Sequence, residues 1–251
     1  MTMTVTEVGT IPTMDHRVAM ALAQVEATRL LDVVDQLDEP NWSGPTDCVG
    51  WDVKALLSHV LGAMEANART REFVRQYRAA TKAAKRSGGP MIDEMTALQV
   101  RDHASLSPTE MADRMRDVAP KAVRGRRRTP GLLRAVPFKP GAPIEGTWKL
   151  GYLIGTITNR DYWMHRVDLT RATGKDLVLT PKHDGRIVAD VVAEWARTHR
   201  QLFTLTLDGP AGGTFVHGDD GEQVHLDAVE FCRILSGRGA GAGLLRHQVP
   251  F

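Results

Sequence analysis

The amino-acid sequence predicts an α+β protein, with a four-helix bundle over residues 1–174 and a small α+β domain over residues 175–251. Three observations predict it. Long segments with apolar residues at helical spacing, separated by long turn-rich connections, fill the chain up to Gly174. Beyond that point the period changes, and LFTLTLDG, GTFVHGDD and EQVHLD read as short strands. Between the two lies WKLGYLIGTITNRDYWMHRVDLTRAT, Trp148 to Thr173, a helix whose apolar stripe contains Asp161, His165 and Asp168. A buried carboxylate or imidazole is costly unless it is paired, hydrogen-bonded or coordinating a metal, so this helix marks the functional centre of the bundle.

Residues 1–14 read as a loose arm before the first helix. Asp15 is an N-cap for HRVAMALAQVEATRLLDVVDQL, where Val18, Leu22, Val25, Leu30, Val33 and Val34 form the stripe. After the turn-rich DEPNWSGPTDCVG, Asp52 caps a helix running through WDVKALLSHVLGAMEANARTREFVRQYRAA, with Val53, Leu56, Leu57, Val60 and Met64 on its buried face. KAAKRSGGP interrupts the pattern, and IDEMTALQVRDHASL reads as a further helix. Ser107, Pro108 and Glu110 form a helix start with a capping box, and the helix they open reaches roughly Arg128. Its basic end, KAVRGRRR, reads as a solvated face favoured by the helix dipole, because no aromatic residue is interleaved for base stacking. A Pro- and Gly-rich connection, TPGLLRAVPFKPGAPIEG, leads to the Trp148 helix. In the second domain Pro181 to Arg200 forms a helix carrying Ile187, Val188, Val191, Val192 and Trp195. The strand LFTLTLDG, two short strands joined by a Gly-Asp turn and the helix AVEFCRILSGRG, ended by Gly237, follow.

Composition excludes several function classes. A hydrophobic content of 42%, a charged content of 25% and a net charge of +2 are those of a globular protein and point to no polyanionic partner, so nucleic acid is not expected. The two cysteines, Cys48 and Cys232, form neither a disulfide framework nor a CxxC zinc pattern. No apolar run approaches the ~18 residues of a membrane span, and the N-terminus has no basic segment leading into an apolar one. A cytoplasmic protein, monomer or homodimer, with no membrane partner is the expectation.

At about 100° per residue, Leu150, Leu153, Ile154, Ile157, Met164 and Ala172 share one stripe with Asp161, His165 and Asp168. Asp161 and His165, at i and i+4, present two ligand atoms to one point, as the paired histidines of HExxH helices do. Two readings stand side by side, a metal site and a hydrogen-bonded pair within a polar core network. His59 lies at the edge of its helix's apolar face, and its spacing alone is that of a partly buried structural histidine. Asp168 either accepts the free ring N–H of His165 and fixes its tautomer, or forms a salt bridge with Arg160 or Arg171. Cys48 is either a reactive thiol at the start of the second helix or a small buried residue, and the latter is commoner.

The motifs WSGPTDCVGWDVKALLSHVLG, RDYWMHRVDLTRATG, LDGPAGGTF and DAVEFCRILSGRG, with the C-terminal VPF, together resemble the mycothiol-dependent maleylpyruvate isomerase family of actinobacteria, over nearly the whole chain. The resemblance implies a DinB-like four-helix bundle at the N-terminus and a small C-terminal domain similar to sterol carrier proteins. It also implies a divalent metal, most often zinc, held by a histidine of the second bundle helix and an acid-x-x-x-His pair of the fourth, which match His59, Asp161 and His165. The isomerases have Glu where this chain has Asp161, and the shorter side chain would draw the metal toward the fourth helix. Two imidazoles and a carboxylate leave one tetrahedral position open, as in catalytic zinc sites, although the same ligand set occurs around non-haem iron. A thiol entering that position loses its proton to the cation. The implied co-substrate is mycothiol, whose thiolate adds to an activated double bond; rotation and elimination then give the trans isomer, and the same thiolate would serve an S-transferase. Arg238, in the SGRG turn, matches a C-terminal arginine near which the family places substrate carboxylates, although a solvated residue after a helix end has the same appearance. The reading is therefore a metal-dependent, thiol-using isomerase or S-transferase acting on a small electrophile of the maleylpyruvate type. The alternative is a non-catalytic carrier of an apolar ligand, with a structural or vestigial metal.

Overall fold

The computed structural model describes residues 5–140 and 146–251. The segment expected to be a loose arm instead contains strand β1 (Val5–Glu7) and a 3-10 turn (Val8–Thr10), and it belongs with the C-terminal part of the chain. Two units result. One is Asp15–Asp176, and the other is Leu177–Phe251 together with the N-terminal segment up to Met14.

In the unit Asp15–Asp176, helix α1 (His16–Val34) starts where expected, with the Asp15 carboxylate accepting from the Val18 N–H at 2.7 Å. Its buried face differs from the simple stripe. Val25 is 40% exposed, and Ala19, Ala23 and Ala27 fill the contact with neighbouring helices instead, because small residues let helix axes approach. Helix α2 (Val53–Ala68) is capped by Asp52 through the Ala55 N–H, and Val53, Leu56, Leu57, Val60 and Met64 are fully buried as the period predicts. The helix expected to continue to residue 80 breaks at Arg69, whose φ of −140° and ψ of 117° are extended, and resumes as α3 (Thr70–Ser87). The residues KAAKRS are therefore helical, and the interruption is confined to Gly88, in the left-handed region at φ 74°, with Gly89 and Pro90.

Helix α4 (Met91–His103) and helix α5 (Pro108–Arg128) follow, the latter with the reciprocal Ser107–Glu110 capping box read from the sequence. The long connection carries a short helix α6 (Gly131–Arg134) and strand β2 (Pro137–Phe138), paired antiparallel with β3 (Trp148–Lys149). The part of the connection at 141–145 lies outside the described residues. The Trp148 segment then runs as one turn, α7 (Leu150–Tyr152), a π-helical turn (Leu153–Ile157) and α8 (Thr158–Thr173), closed by Gly174 at φ 68°. Helices α1 and α2 each pack on both α5 and α8, which is the four-helix bundle, while α3 and α4 form an added layer against α2.

Helix α8 is buried on almost every side, including Arg160, Arg166, His165 and Asp168. Such a helix holds its charges by pairing them. Arg166 makes a fork to Glu26 of α1 at 2.6 and 3.1 Å. The π turn ahead of it adds one residue to the ladder, and two of its carbonyls also accept side-chain donors. Thr158 Oγ1 donates to the Leu153 carbonyl at 2.9 Å and Arg126 Nε to the Ile154 carbonyl at 2.7 Å. Arg126 is thus buried, contrary to the solvated reading of its basic segment, whereas Arg124, Arg127 and Arg128 are exposed.

In the other unit, α9 (Asp184–His199) buries Ile187, Val188, Val191, Val192 and Trp195 completely. Strands β4 (Phe203–Asp208), β5 (Gly213–His217) and β6 (Glu222–Asp227) match the three predicted runs, and α10 (Ala228–Leu235) follows. Their pairing differs from a hairpin between the last two strands. The sheet order is β1-β5-β4-β6, with β4 antiparallel to β5 and parallel to β6. The β5–β6 link therefore rounds the start of β4, and Gly221 passes so close to Leu202 that a Cβ there would lie 2.0 Å from its backbone. Among the described residues no helix is long and apolar enough to cross a membrane.

Candidate metal centre

His59 projects from the middle of α2, and Asp161 and His165 from successive turns of α8, where the two helices pack together. The geometry brings all three predicted ligands to one point. Asp161 Oδ1 lies 3.2 Å from His165 Nε2 and 3.8 Å from His59 Nε2, and one donor atom from each residue falls within 4.8 Å of the others. Ligands at about 2.0–2.2 Å from a tetrahedral zinc stand about 3.3 Å apart. The donor set and its spacing therefore fit a divalent ion. Both imidazoles are buried, and the Asp161 side chain is 26% exposed, so the corner meets solvent on the carboxylate side.

Each ring is held from behind. His165 Nδ1 lies 3.2 Å from Oδ2 of the fully buried Asp168, so the i, i+3 pair faces each other as one of the two sequence readings has it. Arg171 pairs with Asp47 instead, at 2.8 Å. His59 Nδ1 lies 2.7 Å from Gln99 Oε1 on α4. The loop before α2 completes the wall. Thr46 Oγ1 donates to the Trp51 carbonyl at 2.9 Å and the Trp51 N–H to the Cys48 carbonyl at 3.0 Å, a turn that sets Trp51 against both histidine rings, with centroids at 5.4 and 6.5 Å. Cys48, half-buried in that turn, donates its S–H to Asp168 Oδ2 at 3.4 Å. Cys48, His165 and Asp168 also form a compact donor group, but it uses the nitrogen of His165 that faces away from Asp161.

The electrostatics are those of a paired site. Burial alone would raise the Asp161 carboxyl, but the charge and hydrogen bond of His165, with a smaller contribution from the nearby His59, outweigh it and hold the group well below the usual carboxylate range. Burial alone would lower His165, but Asp161, Asp168 and Cys48 stabilise its imidazolium and raise it well above an ordinary histidine. Binding of a cation at this corner therefore competes with a proton on His165 Nε2.

Arg238 lies in the C-terminal unit, half-buried in the turn after α10, where its N–H donates to the Arg233 carbonyl at 2.8 Å. Three residues around the centre are not evident from sequence spacing: Trp51, Gln99 and, behind Gln99, Gln76 of α3, whose Oε1 accepts from Gln99 Nε2 at 2.8 Å. The one local signal is Gly62, one turn after His59 on an otherwise bulky face, where an added Cβ would lie 2.6 Å from Gln99.

Comparison with known proteins places the chain. No curated protein shows significant sequence similarity to it. Crystal structures of the mycothiol-dependent maleylpyruvate isomerase and of a histidine-to-alanine variant share the fold, with TM-scores of 0.59 and 0.58 at 17% identity. The superpositions cover 94% of this chain and 94% and 93% of those chains. Residues 23–170, which include α2, most of α8 and all three candidate ligands, match the family described as the mycothiol maleylpyruvate isomerase N-terminal domain. That match spans more than half of the chain, which therefore belongs to the mycothiol maleylpyruvate isomerase N-terminal domain family.

Proposed function

We propose that this protein is a metal-dependent enzyme that uses a low-molecular-weight thiol, mycothiol, to isomerise or S-conjugate a small electrophile of the maleylpyruvate type. The observation that carries the reading is the convergence of His59 Nε2, His165 Nε2 and Asp161 Oδ1 at one partly exposed corner of a buried helix pair. His59, Asp161 and His165 are the proposed ligands, and zinc is the proposed ion, because two imidazoles and one carboxylate form a set with an open fourth position. A divalent ion held there supplies a Lewis acid that keeps a coordinated thiol ionised at neutral pH. The chain's own residues do the rest. Asp168 keeps the Nδ1 proton of His165 on the far side of the ring, so that Nε2 faces the corner, and Trp51 covers the ring faces against water. Asp161, on the exposed side, leaves the approach for thiol and electrophile open. Support for the thiol and the electrophile class comes from the family, and Arg238 is the proposed partner of the substrate carboxylate on the same ground.

Protein purified without added metal should carry about one divalent ion per chain. Elemental analysis reads it directly. His165→Ala should abolish binding and His59→Ala should weaken it about 100-fold or more, because each removes one of three protein ligands. The absence of bound zinc, nickel, iron and manganese, together with no uptake by the apo form, would overturn the metal reading. With cobalt(II) in place of zinc, mycothiol should produce a sulfur-to-metal charge-transfer band, and a spectrum unchanged by mycothiol and by other cellular thiols would remove the thiol from the proposal.

A further inference from the structure

We infer that Gln99 and Gln76 are positioning residues that fix His59 as its Nδ1–H tautomer and thereby present the Nε2 lone pair to the Asp161–His165 corner. The direction of every hydrogen bond in the chain follows from its far end. Gln76, buried between α2 and α3, places its Nε2 at 3.0 Å from the Gly62 carbonyl and 2.9 Å from Glu72 Oε1. Both of these are acceptors only, and Glu72 is kept a carboxylate by the Arg75 guanidinium, which grips it at 2.6 and 2.9 Å. The Gln76 amide nitrogen therefore faces them, and its Oε1 faces Gln99. Gln99 Nε2 donates to that oxygen at 2.8 Å, which leaves Gln99 Oε1 to meet His59 Nδ1 at 2.7 Å. An oxygen with no proton requires that Nδ1 carry one. In a neutral imidazole the lone pair is then on Nε2, the nitrogen aimed at the metal corner.

The reverse orientation is excluded by the same contacts. Flipping both amides would let Gln99 donate to His59, but it would turn Gln76 Oε1 against a carbonyl and a carboxylate at hydrogen-bond distance, with no proton between them. Gln99 and Gln76 are 3% and 1% exposed, so water cannot repair that mismatch. Gly62 makes the relay possible twice over. Its carbonyl is the terminal acceptor, and its missing Cβ admits Gln99, whose Cβ and Cγ would lie 2.6 Å from an added methyl. At 3.8 Å the His59 Nε2 is beyond hydrogen-bond reach of Asp161, so no bond to the carboxylate calls for a proton on Nε2.

The role of the relay rests on the metal reading above, but the tautomer can be measured without any metal. In metal-free, 15N-histidine-labelled protein, long-range 1H–15N correlation should show His59, identified by loss of its signals in His59→Ala, as a single Nδ1–H tautomer. Gln99→Met removes the acceptor and should give a mixed or Nε2–H ring, with cobalt(II) affinity lower by about 10- to 100-fold. Gln99→Glu retains an acceptor and should keep the Nδ1–H signal. An Nε2–H His59 in the wild-type protein would overturn the assignment whether or not the variants fold, and so would a Gln99→Met protein with the wild-type tautomer and cobalt affinity. No cobalt uptake by a wild-type protein whose His59 is Nδ1–H would count against the metal reading alone and would support the tautomer assignment.

Discussion

Arg238 follows the left-handed Gly237, at φ 82°, in a turn whose backbone is held by the bond from its own N–H to the Arg233 carbonyl. The turn fixes the start of the side chain, and the guanidinium it carries is a planar fork of donors of the kind that binds carboxylates in two-pronged fashion. A fork of this kind, partly shielded from water, contributes about 1.5 to 3 kcal/mol. Arg238→Ala should therefore lower kcat/KM for an anionic substrate by roughly 10- to 150-fold while metal content stays unchanged, and Arg238→Lys should restore little, because an ammonium loses the fork. Steady-state kinetics with wild-type values in Arg238→Ala would remove it from the site. At this scale the sequence was informative where chemistry is local. The i, i+4 and i, i+3 spacings of Asp161, His165 and Asp168 place them on one face whatever the tertiary structure. His59 needed the resemblance, because nothing in α2 reveals what faces it. Gln99 and Gln76 were not legible at all: a glutamine in a helix reads as a solvated residue until the facing helix is known to carry its partner.

The π turn at Leu153–Ile157 is the element that sets the phase of α8. One added residue rotates everything after it by roughly 100° relative to an uninterrupted helix, so a single stripe drawn through Trp148–Thr173 misjudges its first part. Leu150 and Leu153 are only half-buried, whereas Met164 and Val167 are completely so. Arg126 holds the turn together. It donates to the Ile154 carbonyl at 2.7 Å and to Asn159 Oδ1 at 2.7 Å, and Asn159 Nδ2 donates to the Ala19 carbonyl at 2.8 Å, which ties α5, the π turn and α1. Burial pushes the Arg126 guanidinium down to about 10, still charged at neutral pH. Arg126→Met would leave two buried acceptors unpaired and should destabilise the protein by about 2–4 kcal/mol in urea unfolding. Because Asp161 is two residues past Asn159, metal affinity should fall in the same variant, and an Arg126→Met protein with unchanged stability would show that the π turn does not depend on it. Other elements were hidden for different reasons. The break at Arg69 carries no Gly or Pro, and β1 is three residues long and paired with a strand about 200 positions away, beyond any local signal.

Across the whole molecule the two units should respond to different solution variables, because their ionisable groups are arranged differently. All three proposed ligands lie within Asp15–Asp176, so a bound ion stabilises that unit by RT ln(1 + [M]/Kd), about 2.7 kcal/mol at a hundredfold excess over Kd. In the other unit His199 is lowered to about 4, chiefly by burial and then by the charges of His247 and His217, with its ring against Trp195 and Phe203. The sign follows from linkage. Between the ordinary value of 6.5 and about 4 the unfolded histidine binds a proton that the folded one does not, so the stability it contributes is full above 6.5 and is lost as the pH falls toward 4. Hydrogen exchange corrected for intrinsic rates separates the two effects by location. Saturating zinc should raise protection of α2 and α8 amides by up to about 100-fold, while acidification from pH 7 to 4 should lower protection in α9 and β4, and His199→Phe should remove much of that acid sensitivity. Equal zinc protection in both units would place the ion elsewhere than at His59, Asp161 and His165, and an acid response unchanged by His199→Phe would assign the pH sensitivity to other groups.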